Sequence, residues 1–174
     1  MGCKLLNSEK DSKVIIVNDV FIQAFAELEL NEGGYTVDDG GPTMYGITEA
    51  VARRWGFQGD MHDLTLEQAQ AIAKSEYWDV YQCDQFDARV AFQVFDAAYN
   101  GGHAVNWLQR ATGVVIDGVL GEQTIGAIRS LDPLKLILRF DSYRISFLAM
   151  LTVWPSYGKG WMNRIAKNML LAAA

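Results

Sequence analysis

From Asp19 onward the apolar residues recur at three- and four-residue spacing, and the interruptions fall where helix-breaking residues cluster. Pro42, Pro133 and Pro155 lie at the edges of such runs, never inside them. That patterning commits the chain to a mainly α fold with one irregular connection. The first run is DVFIQAFAELELNEGG, where Phe21, Phe25 and Leu28 share a face and Gly33 suits a left-handed helix stop. YTVDDGGPTMYGI follows, rich in turn formers with brief β-prone pieces, and predicts a loop or small hairpin after the first core helix.

Helix signals resume at Thr48, an N-cap candidate for a run to Gly56. In LTLEQAQAIAKSEYWDVY, Thr65 and Gln68 match a capping box. Asp87 caps ARVAFQVFDAAYNGG, with Val90, Val94 and Ala97 or Ala98 on one face. AVNWLQRAT is a short helix closed by Gly113, and VVIDGVLGEQT is a tight loop that IGAIRS continues as a helix. Asp132 and Pro133 form an N-cap and N1 pair for a segment ending before Pro155, and GWMNRIAKNMLL is the last amphipathic helix. Residues 1–17 read as a polar, charged tail.

The net charge of −6 and pI near 4.8 repel phosphate backbones, so nucleic acid is excluded as a partner. The same charge offers no attraction to anionic membranes or wall polymers. The longest apolar stretch, ISFLAMLTVWP, is far below the roughly 20 residues a membrane span needs, so no membrane insertion is expected. The start carries no apolar signal-peptide core, and the chain is expected to be soluble and made in a cytoplasm. Cys3 and Cys83 predict no structural disulfide. His62 and His103 stand alone, and DGVLGEQT lacks calcium-loop spacing, so neither metal nor other cofactor is expected.

Glu32 stands out among the local acids. At about 100° per residue it continues the stripe of Phe21, Phe25 and Leu28, while Glu27 points away and Glu29 sits at the edge. Desolvation against apolar neighbours, and then the negative end of the helix dipole, would favour its protonated form, as a general acid requires. Gly33 and Gly34 leave open space beside it. The same spacing also fits a helix ending in an acid turned to solvent. Asp38, Asp39 and Thr43 lie across the turn. An aspartate facing Glu32 over a cleft would match the carboxylate pair of glycoside hydrolysis, with a threonine hydroxyl holding water. Asp before Gly is equally an ordinary turn residue.

NEGGY followed by DDGGPTMYGIT resembles the signature of glycoside hydrolase family 108, the muramidases of phage endolysins and secretion-associated lysins. The matching positions are Glu32, Gly33, Gly34, Tyr35, then Asp38 or Asp39, Gly40, Gly41, Thr43, Gly46, Ile47 and Thr48. The loop from Tyr35 to Gly40 is shorter than the family pattern, so the match to one aspartate or the other stays open. Downstream, Tyr77 and Trp78 in SEYWDVYQCDQF are similar to the family's Tyr-Trp segment. Asp96, Asn100, Leu108, Gln109 and the DGVLGEQT turn are similar to its peptidoglycan-binding-type region.

The resemblance implies a lysozyme-like helical domain that cleaves MurNAc–GlcNAc bonds in the glycan strands of bacterial peptidoglycan. Glu32 would be the catalytic acid, assisted by Asp38 or Asp39 and Thr43. It divides the chain into a muramidase half, 18–90, and a peptidoglycan-binding-type half, 91–174, packed into one body. Tyr35, Tyr45, Trp78, Tyr99 and Asn100 are the candidate walls of the sugar groove, aromatics for ring faces and an amide for acetamido groups. Trp78 equally fits a core position, and Asn100 a helix C-cap. The chain is expected to be a monomer that reaches the wall through a holin or secretion machinery. Two other activities fit the same pattern less fully: a non-catalytic peptidoglycan-binding accessory module, and a wall amidase or peptidase using Cys83 with His103.

Overall fold

The computed structural model describes residues 19–32, 34–38 and 41–174, with the side chains of residues 30–32 and 38 outside that description. The expected tail at 1–17 and Cys3 therefore lie outside the described residues. Helix α1 (Asp19–Glu32) leads into strands β1 (Thr36–Asp38), β2 (Gly41–Met44) and β3 (Ile47–Thr48). Then follow α2 (Glu49–Trp55), α3 (Leu66–Ala73), α4 (Ala88–Tyr99), α5 (Ala104–Thr112), α6 (Glu122–Ser130), α7 (Pro133–Leu148) and α8 (Trp154–Ala173). The fold is mainly α, and the predicted loop or hairpin is a three-stranded antiparallel sheet in the order β1-β2-β3.

Local chemistry sets the helix ends. Thr48 Oγ1 accepts from the Val51 N–H, Asp87 from Arg89 and Asp132 from Lys135. Thr65 and Gln68 exchange side-chain and backbone bonds as a full capping box. Gly56 and Gly113 end α2 and α5 in the left-handed region, at φ 110° and 80°.

Two helix boundaries differ from the sequence expectation. The run through Tyr81 stops being α-helical at Ala73, and Lys74–Trp78 winds as a wider π-type turn closed by the Asp79 N–H on the Lys74 carbonyl. Helix α7 ends before Pro155 as expected, but α8 starts at Trp154, ahead of the predicted GWMNRIAKNMLL, with Pro155 in its first turn. A proline there loses no hydrogen bond, so it opens a helix instead of stopping one.

The core is built around α4. Every residue from Val90 to Ala98 is buried, so the helix is enclosed all round and not, as expected, on one face. It packs on α1, α5, α7 and α8, and thus joins the 18–90 and 91–174 segments. Phe95 meets Phe21 and Trp78 edge-on at 5.8 and 5.5 Å between ring centres. Each such ring contributes about 1.5–3 kcal/mol by leaving water.

One charged cluster is sealed between α4, α7 and α8. Asp96 is fully buried, with Arg144 Nη1 at 2.7 Å and Arg164 Nε at 2.7 Å. Asp141, also buried, has no hydrogen-bond donor to either carboxyl oxygen among the described residues. Burial pushes its carboxyl up to about 7, with Arg144 pulling it back and Asp96 pushing it further. The folded chain therefore holds this proton more tightly than the unfolded one. Its contribution to stability falls as pH rises from about 4 to about 7 and is level above that. Asp141→Asn removes the titrating group and keeps the shape. Its melting temperature is expected to rise above wild type by a margin that grows between pH 5 and pH 8, read by circular dichroism. A margin that stays constant with pH would show that Asp141 does not titrate there.

Candidate active site

The site begins at the end of α1. Phe21, Phe25 and Leu28 are wholly buried, and Glu32 is the last helical residue, at the next position of the same stripe. The side chains of Glu32 and Asp38 lie outside the described residues, as does Asp39. Asp38 pairs with Gly41 at the turn end of the β1–β2 ladder.

Thr43 stands in the middle strand, opposite Thr36 on β1 and Thr48 on β3. Directly opposed residues in a sheet share a face, so a row of threonine hydroxyls crosses all three strands. Thr48 is already engaged as the α2 cap, and Thr43 is half-buried between its neighbours.

The β2–β3 turn is built from Tyr45 and Gly46, both at positive φ, 53° and 77°. Positive φ at both central residues is the type I′ geometry that matches strand twist. Tyrosine adopts it at a cost of about 1–2 kcal/mol, so something must hold it. The Tyr99 hydroxyl, from the last residue of α4, donates to the Tyr45 carbonyl at 2.9 Å. Tyr77 packs on Tyr99 at 4.7 Å between ring centres. Burial raises the Tyr77 hydroxyl above its ordinary range, so it stays protonated at neutral pH. Tyr35 stacks on His62 at 3.6 Å, tying the entrance of β1 to the short turn Met61–Asp63.

Tyr45, Tyr99, Tyr35 and Thr43 therefore gather about the sheet and its junction with α4. Trp78 does not. Its exposure is 0 %, its indole N–H donates to Asp84 Oδ1 at 2.7 Å, and it wedges between Phe21 and Phe95. The groove-wall role expected for Trp78 is withdrawn, because no sugar can reach a ring enclosed on every side. Asn100 is exposed at the C-cap of α4, with Nδ2 donating to the Asp96 carbonyl at 2.8 Å. That leaves its amide oxygen and its second N–H as the groups it can offer a ligand.

Cys83 is a buried free thiol. Burial, and then Asp84 and Asp79, push it far above its ordinary range. A thiol held protonated is a poor nucleophile, which removes the chemical basis for a Cys83 peptidase. His103 lies with its ring edge-on to Phe147 and Trp107.

Gln109 has a role that its place in a motif did not disclose. Fully buried, it donates to Asp117 Oδ1 at 2.6 Å and to the Val119 carbonyl at 3.0 Å, and accepts from the Gly118 N–H at 3.0 Å. It is the internal strut of the DGVLG turn. The Tyr99–Tyr45 bond was also hidden, because it joins residues 54 apart in sequence.

A helix-end acid beside a small sheet, on a helical body, defines a lysozyme-like layout. The family model described as Glycosyl hydrolase 108 matches residues 25–102, from within α1 through the sheet to the end of α4. A solved structure, that of Brucella abortus SagA, superposes with a TM-score of 0.80 at 31% identity, covering 88% of this chain and 93% of that one. No curated protein matches. The chain belongs to the glycosyl hydrolase 108 family, whose class of reaction is hydrolysis of a glycosidic bond. No helix among the described residues is long and apolar enough to cross a membrane.

Proposed function

We propose that the chain is an N-acetylmuramidase that hydrolyses the MurNAc–GlcNAc bonds of bacterial peptidoglycan, with Glu32 as proton donor. The observation that carries this reading is the place of Glu32, last on a helix whose preceding stripe positions are sealed in the core. A carboxyl carried at the end of such an apolar stripe suits a group that must hold a proton until a sugar arrives.

Glu32 gives its proton to the glycosidic oxygen, so the leaving sugar departs as a neutral alcohol. Asp38 or Asp39 supports the positive charge growing at the anomeric carbon or orients the incoming water. Thr43 helps to hold that water, and Tyr45, Tyr99 and the amide of Asn100 contact sugar. Water supplies the hydroxyl at the anomeric carbon, and its proton returns to a carboxylate. The enzyme works at the wall as a monomer, reaching it by a holin or a dedicated secretion route.

Purified sacculi provide the test. Wild-type protein is expected to lower their turbidity and release new reducing ends without new free amino groups. Free amino groups would instead identify an amidase or peptidase. Protein that sediments with the sacculi and leaves turbidity unchanged would be a binder and no enzyme.

A further inference from the structure

We infer that the groove between α5 and α7 binds the carboxylate-bearing peptide stem of the wall polymer, an inference that rests on the muramidase reading. The groove encloses about 370 Å³, within the range of small-ligand sites and enough for a few peptide residues. Trp107 and Phe147, whose rings meet at 5.6 Å, form an apolar base. Asn106 adds an amide that can both donate to and accept from a peptide bond. Met150, 85% exposed, stands at the rim as an adaptable apolar contact.

Charge decides the class of ligand. The chain carries −6 overall, yet among the described residues no acid lines this groove and Arg110 does. Its guanidinium lies over the Tyr143 ring at 6.0 Å, and no carboxylate pairs with it among the described residues. Exposed arginine normally finds an acid nearby in so acidic a chain. Here the aromatic ring lies near the guanidinium and leaves its N–H groups able to capture a carboxylate bidentately. A bare glycan strand with its lactyl groups amidated offers no carboxylate, whereas a stem peptide offers several, together with methyl groups for the base and amides for Asn106.

Position supports the assignment. A smaller depression, sharing Trp107 and Phe147 with this groove, runs along Asn100, Gly101 and Gly102. That connection follows Tyr99 directly, and Tyr99 holds the Tyr45 turn. A β-carbon on Gly102 would come within 2.8 Å of both the Ala97 carbonyl and the Trp107 ring, so the chain passes as close over this base as a backbone can. Through that shared base the groove is continuous with the connection after α4, the helix whose Tyr99 reaches the sheet.

The test uses a synthetic Ala–γ-D-Glu–diaminopimelate tripeptide, free of sugar, titrated into full-length wild type, Arg110→Gln and Tyr143→Ala by calorimetry. Wild type is expected to show saturable binding that Arg110→Gln weakens about tenfold or more, the usual cost of losing a charge-assisted pair. Tyr143→Ala keeps the charge and removes the ring beside it, and is expected to weaken binding in the same direction. On whole sacculi Arg110→Gln should raise the half-saturating wall concentration about tenfold at unchanged maximal rate. On glycan strands stripped of peptide, with the freed lactyl carboxylates converted to primary amides, it should match wild type. Absence of saturable tripeptide binding to wild type would overturn the inference, as would equal losses on whole and stripped substrates. Tripeptide binding by a wild type that cleaves neither substrate would remove the muramidase reading and leave the groove standing.

Discussion

Glu32→Gln is expected to reduce lysis of sacculi by about 10²–10⁴-fold, the range that a positioned general acid contributes. Glutamine matches the shape of glutamic acid and can hydrogen bond to the glycosidic oxygen, but it has no proton to give at any useful rate. The leaving sugar would then depart as an alkoxide, which is the unfavourable step that the acid removes. The fold should not notice the change. Phe21, Phe25 and Leu28 anchor α1 without help from position 32, so the melting temperature should stay within a degree or two of wild type. Turbidity clearance, reducing-end release and a thermal melt on one preparation read all of this. Undiminished lysis would end the assignment of Glu32, and a variant that unfolds would show its role to be structural.

The second large effect is on stability and lies away from the chemistry. Asp96→Ala should destabilise the fold by about 3–5 kcal/mol, because it leaves two buried guanidinium groups facing each other without their shared anion. Arg144 and Arg164 both reach Asp96 at 2.7 Å from α7 and α8, so one carboxylate neutralises contacts from two helices. For a chain of this length such a loss corresponds to a fall of roughly 10 °C or more in melting temperature. Urea denaturation of the variant gives the number directly. Asp96→Ala combined with Arg144→Met should recover part of the loss, since it removes one of the two stranded charges. A single-variant cost under about 0.5 kcal/mol would mean that water reaches the cluster, contrary to its burial.

These two residues show how differently a site and its support can be read. The place of Glu32 at the end of the apolar stripe was legible from spacing alone, because helical periodicity extends from Phe21 through Leu28 to position 32 whatever the helix packs against. Asp96 was visible only as a mark of its region. Its partners lie 48 and 68 residues away on α7 and α8, and no local pattern pairs residues across such distances. The same limit hid the Tyr99–Tyr45 bond. It also left Trp78 undecided, since a tryptophan beside a tyrosine on a helix has the same local signature in a core as at a groove wall.

What the sequence determined by itself was whatever depends on neighbours within a turn or two. The caps at Thr48, Thr65, Asp87 and Asp132 and the glycine stops at Gly56 and Gly113 all rest on bonds closed within a few residues. The tertiary structure alone decided which of several locally equivalent choices prevailed. It made Pro155 a helix opening, enclosed α4 on all sides, buried Trp78, and set Arg110 over Tyr143 with no carboxylate paired to it among the described residues. Those outcomes turn on which helices meet, and that is settled by removing apolar surface from water across the whole chain, a sum to which no short segment holds the answer.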